Sequence, residues 1–324
     1  MKIFITGGTG FIGTNLIKRL AQTSHQLYCL VRETSDTTTI KEVVATIIIG
    51  DVMDKNSLLK GMKGCDWVVN LASSYEFWVP NRMVYKEVNI DGMRNVMESI
   101  LETGISKVVH VSTIAVYGNA VWPITEKSAF GSVRSSQYAQ TKYEGDLIAW
   151  GLYREKKLPL VVIYPSAVLG PNDPKAAGRY IRNYSLGRMP AQIVTKSIFP
   201  FVHVKDVCEA ILLALEKKDN IGEKYLVSKC NLTFRELNNM ISEISGTKLP
   251  MLRLPDWMTI ASARFFTGIA NLIKKRPVWD MAIEQIKLMK GGLEVKGSKA
   301  ERELGLKYET IHKALEDAII SFRS

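Results

Sequence analysis

Cysteine is scarce in this sequence. The four present, Cys29, Cys65, Cys208 and Cys230, lie far apart, with no CxxC pair and no neighbouring histidine at ligand spacing. That excludes a disulfide-built scaffold and a zinc ribbon, and all four are expected as reduced core residues. Long apolar runs are missing as well. No stretch approaches the ~18 uninterrupted apolar residues of a spanning helix. The opening MKIFITGGTGFIG reaches a glycine-rich turn after four apolar-leaning residues, too soon for a signal peptide. A cytoplasmic location is therefore expected. Low-complexity tracts and internal repeats are absent too, which excludes disordered and solenoid architectures. The net charge is +11, yet no basic stripe with interleaved aromatics occurs, and the densest group is Lys274-Lys275-Arg276. No nucleic-acid partner is expected; a small-molecule ligand, with some bias toward anions, is.

What is present is an ordinary globular composition, 46% hydrophobic and 23% charged, on 324 residues. Apolar runs at 2–6, 27–31, 45–49, 67–72, 107–111 and 159–164 alternate with segments of helical periodicity or with loops. Strands alternating with helices predict an α/β fold: a doubly wound parallel sheet of Rossmann type, covered on both faces. After Pro165 the pattern changes to a helix near 175–187, a strand at 198–202, a helix at 205–217 and a strand at 223–227. From 233 onward it is mostly helical, with breaks at Pro250, Pro255, Pro277 and Gly291-Gly292. The expected organisation is a dinucleotide-binding domain over 1–165 and a smaller, mostly helical substrate region over 166–324, with 198–227 returning to the main sheet.

TGGTGFIG follows the first strand and opens the first helix, the context a phosphate loop requires. Gly8, Gly10 and Gly13 fit G-x-G-x-x-G; Gly7, Gly10 and Gly13 fit the G-x-x-G-x-x-G variant. Either spacing lets backbone N–H groups and a helix N-terminus face a pyrophosphate. The second strand runs out at Val31, before Arg32 and Glu33. Arg32 favours the 2′-phosphate of NADP, while Glu33 keeps NAD open. Asp51, just past the third strand, suits the adenine amino group or a helix N-cap.

YAQTK at 138–142 places Tyr138 and Lys142 four apart on one helical face. Alone, the pair is better described as a tyrosine at the core edge and a solvated lysine. Its company decides. The glycine loop, Asp51, NLA (70–72), VNIDGMRNV (88–96), HVSTIAVYG (110–118), YAQTK, PSAVLGPND (165–173), FVHVKDV (201–207) and GSKAERELG (297–305) follow one another in that order. Together they resemble the extended short-chain dehydrogenase/reductases over nearly the whole chain. The branch they look closest to contains the dihydroflavonol-reductase-like and 3β-hydroxysteroid-dehydrogenase-like enzymes.

The resemblance implies an NAD(P)-dependent oxidoreductase acting on a carbonyl or secondary alcohol. Thr113, with Ser112 the lesser candidate, takes the place of the catalytic Ser/Thr, and Tyr138 and Lys142 complete the triad. Tyr138 would be the acid/base, its pKa lowered by the Lys142 ammonium, and Thr113 would hold the substrate oxygen. The implied cofactor contacts are Gly7, Gly8, Thr9, Gly10, Phe11, Ile12, Gly13, Arg32, Asp51, Val52, Leu71, Ala72, Ser73, Asn89, Ser112, Tyr138, Lys142, Pro165, Ala167 and Val168. Asn89 could anchor a relay water or act as a buried amide satisfying the backbone. Family members often pair through the YxxxK and VNxxG helices, so a homodimer is expected.

Departures narrow the reaction. Dehydratases carry Asp-Glu after the catalytic Thr; here Ile114-Ala115 stand there. Nucleotide-sugar enzymes carry an Arg and an acidic residue just before the strand that reads FVHVKDV; here Phe199-Pro200 do. A nucleotide-sugar epimerase stays as the alternative, with Arg179, Arg182 or Arg188 as anion holders or as solvated helix residues. A non-catalytic dinucleotide sensor is disfavoured because both Tyr138 and Lys142 are kept. Ser73, Ser74, Tyr75, Phe77 and Trp78, after the fourth strand, either line a substrate pocket or plug the loop onto the body. Residues 257–273, WMTIASARFFTGIANLI, read as a helix that covers the cleft, meets a partner or lies on a membrane surface.

Overall fold

The computed structural model describes residues 1–193 and 195–323. Its strands are β1 (Lys2–Thr6), β2 (Gln26–Val31), β3 (Thr46–Ile49), β4 (Trp67–Asn70), β5 (Lys107–Val111), β6 (Leu160–Pro165), β7 (Ala167–Leu169), β8 (Gln192–Ile193), β9 (Ile198–His203), β10 (Lys224–Val227), β11 (Cys230–Thr233) and β12 (Arg253–Leu254). The helices are α1 (Phe11–Leu20), α2 (Thr38–Glu42), α3 (Lys55–Met62), α4 (Met83–Lys86), α5 (Met93–Thr103), α6 (Gln137–Lys156), α7 (Ala176–Ser185), α8 (Val204–Glu216), α9 (Phe234–Ser245), α10 (Asp256–Ile273), α11 (Ile283–Gly291) and α12 (Ile311–Arg323). A π-helical turn, Glu87–Gly92, joins α4 to α5.

The main sheet is parallel, in the order β10-β6-β5-β4-β1-β2-β3. Its strands read as unbroken apolar runs because both faces are covered. Ile3 and Ile5 point into one core with Leu16, Ile17 and Leu20 of α1 and Val207 of α8. Phe4, between them, points into the other with Leu58, Met62 and Met97. Val68 and Val69, and Val108 and Val109, divide between the two cores in the same way. Each fully buried aliphatic side chain contributes ~1.5–3 kcal/mol. Chain order reverses between β1 and β4, and at such a switch point a crevice opens at the carboxyl ends of the strands.

After Pro165 the chain leaves the main sheet within two residues. β7 and β11 flank β9 in a second, three-stranded sheet, β9 pairing parallel with β7 and antiparallel with β11. Of the stretch 198–227, Lys224–Val227 returns to the main sheet beside β6, whereas Ile198–His203 does not. The core facing α3 and α5 runs on unbroken into Phe199, Phe201, Phe234, Ile286, Met289 and Leu293. Cys29 and Cys208 are buried, Cys65 and Cys230 half-buried, and all four are free thiols.

Candidate active site

The glycine turn forms the floor of the crevice. Gly7 has φ of +70°, and a Cβ there would lie 2.7 Å from Leu71 C and Ala72 N, so the turn crosses the end of β4 with no room for a side chain. At Gly13 a Cβ would lie 2.3 Å from the Gly7 carbonyl oxygen, which fixes helix against turn. Gly8 is buried behind and Thr9 half-buried. The helix then starts at Gly10 with no side-chain cap and no acidic residue in its first turn. Its first N–H groups, together with the helix dipole, are left for an anion. That end fits the pyrophosphate of a dinucleotide.

Gly7, Gly10, Phe11, Ile12 and Gly13 line a cleft of about 200 Å³. The same cleft runs past Leu71, Ser73, Ser112, Thr113, Tyr138, Lys142, Pro165, Ala167 and Val168. Residues remote in sequence thus meet along one channel. Ser136 starts α6 by accepting from Ala139 N–H (3.1 Å), which brings Tyr138 and Lys142 into its first turns. They are only 8% and 4% exposed. Thr113 begins the following 3₁₀ turn, its hydroxyl accepting from Ala115 N–H at 3.2 Å.

Burial, with the charge of Asp146, holds the Tyr138 phenol well above its usual pKa, and the hydroxyls of Thr113 and Ser73 offset only part of that rise. Lys142 was expected to do the lowering. Its ammonium donates to the Val111 carbonyl at 3.1 Å, and the partial lowering comes from the two hydroxyls, which do not overcome burial. Burial lowers the Lys142 pKa to about 8, against the opposing charge of Asp146. Charging Lys142 therefore costs stability below about pH 8, and the cost fades as pH rises toward the unfolded value near 10.5.

Asp146, 1% exposed, lies one turn further along α6. It accepts from Ser112 Oγ at 2.7 Å, and His110 Nε2 lies 3.3 Å away. His110 Nδ1 meets Asn70 at 3.2 Å, and Asn70 accepts from Thr6 Oγ1 at 2.6 Å. A buried polar chain thus crosses β1, β4 and β5 beneath Lys142. Ser112 belongs to this chain, which leaves Thr113 and Ser73 as the hydroxyls beside Tyr138.

The other expected residues divide. Arg32 is exposed at the end of β2. Asp51 accepts from Met53 N–H at 2.9 Å, while the N-cap of α3 is Asp54, so the cap alternative for Asp51 falls away. Val52 is buried against the Gly92 turn and Ala72 N–H donates to Thr6 Oγ1, and neither lines the cleft. The Asn89 carbonyl oxygen accepts from Ser73 Oγ and Ser74 N–H, and its amide donates to Ser74 O and Thr141 Oγ1. Asn89 is the buried amide, tying the loop after β4 to α6. Ser74 is held by that bond and does not line the cleft.

Tyr75 and Phe77 line the cleft, and the Tyr75 ring lies 4.9 Å from that of Tyr138. Trp78, expected at the substrate, packs against Ala270 and Ala282 and donates from Nε1 to Asn271 at 2.9 Å. It is the plug. Arg179, expected to hold a substrate anion, is bound to Glu76 (3.1 Å) and Asp280 (2.8 Å). Buried Glu76 also takes Lys175 (3.3 Å) and Arg276 (2.9 Å), pinning the loop after β4 to α7 and to the segment after α10. Arg182 and Arg188 are exposed.

Sequence reasoning missed Ser166, Asp173, Lys175, Leu288 and Leu293 as lining residues, and read Phe199 only as a departure. Ser166 Oγ is buried without a hydrogen-bond partner among the described residues. Ser166 and Asp173 lie inside PSAVLGPND, where a signal was available. Leu288 and Leu293 carry none, because α11 reaches the cleft only through the tertiary fold. Phe199 also borders a neighbouring apolar cavity of about 80 Å³ with Tyr180, Phe201 and Phe234.

Residues 3–228 match the NAD dependent epimerase/dehydratase family. The chain belongs to that family. Over its full length it is 27% identical to sterol demethylase protein B of Methylococcus capsulatus, covering 98% of that protein. It is 23% identical to 4-hydroxy-2-methyl-3-oxo-4-farnesyl-3,4-dihydroquinoline-1-oxide ketoreductase of Stigmatella aurantiaca, over 98% of this chain and 96% of that one. The crystal structure of gox2253 superposes with a TM-score of 0.83 at 32% identity, over 99% of this chain and 97% of that one. As a member of the epimerase/dehydratase family, the protein is an enzyme of the short-chain dehydrogenase/reductase type, an NAD-dependent oxidoreductase.

Proposed function

We propose that this enzyme transfers a hydride between a nicotinamide cofactor and a carbonyl or secondary alcohol on an apolar skeleton. The observation that carries the reading is the wall beside Tyr138, formed by Tyr75, Phe77, Phe199, Leu288 and Leu293. Phe199 stands near where nucleotide-sugar enzymes place an arginine, and Arg179, the nearest substitute, is spent on Glu76 and Asp280. A sugar nucleotide would set its phosphates largely against aromatic carbon, with Lys175 the one cation lining the cleft besides Lys142 and already paired with Glu76. The ketoreductase relative, whose name specifies a farnesylated ketone, supports the same substrate class.

Residues 1–165 would hold the dinucleotide, with pyrophosphate at the Gly10 helix start, and residues 166–324 would hold the substrate. When bound, the nicotinamide supplies the hydride. Tyr138 gives its proton to the carbonyl oxygen in reduction, or takes one from the alcohol in oxidation. Thr113 donates to the same oxygen and fixes its position. Lys142, tied to Val111 O, supplies positive charge beneath the site and a donor for the cofactor ribose. Arg32 at the end of β2 favours NADP. We read the enzyme as a cytoplasmic homodimer paired through α6, which carries YxxxK, and the helical segment of α4, the Glu87–Gly92 turn and α5 that carries VNxxG.

Incubation with NADPH and a carbonyl panel, then with UDP- and dTDP-sugars, tests the reading. Consumption of NADPH with apolar ketones or aldehydes is expected. Sugar interconversion without net cofactor turnover would sink it. Measured dissociation constants should be lower for NADPH than for NADH, and the reverse order removes the role given to Arg32.

A further inference from the structure

Helix α10 is built inside out. Its inward residues, Thr259, Ala263, Thr267 and Ala270, are small, and two of them are polar. The large apolar side chains point the other way: Trp257, Met258, Phe265, Ile269, Leu272 and Ile273 are all exposed, Trp257 by 71% and Leu272 by 84%. At 100° per residue these six occupy a single band roughly 160° wide. An apolar stripe normally faces the core; here the core side is held by Thr and Ala, and by the Ile283 N–H donating to Thr267 Oγ1 at 3.0 Å. Exposed Met251 and Leu252 precede the helix, and exposed Val278 and Trp279 follow it. A contiguous apolar surface of this kind marks an interaction site.

The charges around the patch choose the occupant. From Trp257 to Trp279 the sequence contains Arg264, Lys274, Lys275 and Arg276 and no acidic residue. Of the flanking carboxylates, Asp256 is paired with Lys290 and Asp280 with Arg179, while Arg276 is paired with Glu76. Arg264, Lys274 and Lys275 are exposed, and the chain as a whole carries +11. Aromatic residues at both ends of an apolar face, with cations at its rim, match the headgroup boundary of an anionic bilayer. Among the described residues no helix is long and apolar enough to cross a membrane.

The geometry points to α10 as a peripheral docking helix that lies in the surface of an anionic lipid bilayer. Trp78 ties this helix to the loop carrying Tyr75 and Phe77, so the docked face adjoins the wall of the cleft. The inference goes beyond the substrate reading and stands whatever carbonyl the enzyme reduces.

Flotation of the full-length protein with vesicles of phosphatidylcholine alone, or mixed with phosphatidylglycerol, tests it. The protein should rise with the mixed vesicles, less so as salt is added, and its tryptophan emission should shift to the blue. The double variant Phe265→Ser with Leu272→Ser should lower the bound fraction at least ~10-fold. Lys274→Glu with Lys275→Glu should remove the preference for the anionic lipid. Both variants alter exposed side chains, so each should melt with the wild type. Failure to float with the mixed vesicles overturns the inference, as do variants that melt normally and float as well as wild type. A wild-type dimer that the serine variant dissolves, with no vesicle binding, would assign the face to a second copy instead.

Discussion

The floor of the cleft, from Gly7 to Lys142, is made of backbone and of polar side chains tied to one another, whereas its wall is apolar and drawn from distant stretches. Floor residues sit at strand ends and helix starts, so the sheet itself sets their positions. Wall residues are placed by how α7, β9 and α11 pack against that sheet. On the proposed function, one region would answer to a fixed cofactor and the other to a variable substrate, which accords with the difference in materials.

The sharpest way to break the floor is Tyr138→Phe, which removes one hydroxyl. Turnover should fall ~10²–10⁴-fold while dinucleotide affinity stays within a few-fold of wild type. Unchanged turnover would refute the role of Tyr138. Gly13→Ala should be nearly as severe by another route, because its Cβ would strike the Gly7 carbonyl. A dinucleotide dissociation constant raised at least ~10-fold, with a lowered Tm, is expected from the displaced turn.

The two regions meet at Glu76. Glu76→Gln leaves Arg179, Arg276 and Lys175 without their carboxylate, and should cost about 2 kcal/mol after screening of the half-exposed Lys175 and Arg276. Thermal unfolding with and without salt measures it; a loss that salt does not change would mean the network is packing alone. Phe199→Ala acts on the wall and on the core that Phe199 shares with Phe201 and Phe234, so Tm should fall as well. It should lower kcat/KM for apolar carbonyls roughly 10-fold and leave the cofactor dissociation constant alone. A pH profile separates the regions most finely. Lys142 loses its charge as pH rises through about 8, so the reduction rate should fall there in wild type and in Phe199→Ala alike. Lys142→Met should lack that inflection, and a wild-type profile flat across pH 8 would remove the charge from the mechanism.

What the sequence disclosed follows the same division. Most of β1 to β6 were legible because burial on both faces leaves apolar runs, β3 at the sheet edge being apolar though partly exposed, and Gly7, Gly10 and Gly13 because backbone clearance demands glycine. Tyr138 and Lys142 were legible through helical spacing and the motifs around them. The second sheet was not, because β9 finds β7 and β11 through long-range pairing that local pattern does not encode. Arg179 read as an available cation because its partners, Glu76 and Asp280, lie about a hundred residues away on either side. Asn89 left two jobs open until its four hydrogen bonds could be counted. Asp146 carries no motif of its own, and only the fold reveals the carboxylate under Lys142.

Helix α1 begins without a cap, and that bears on how long the protein survives in a cell. An end with no side-chain partner is a weak point that a bound phosphate mends, and a ligand present at a hundred times its dissociation constant adds about 2.7 kcal/mol to stability. Proteases that act on transiently opened chains would then degrade this enzyme fastest when dinucleotide is short.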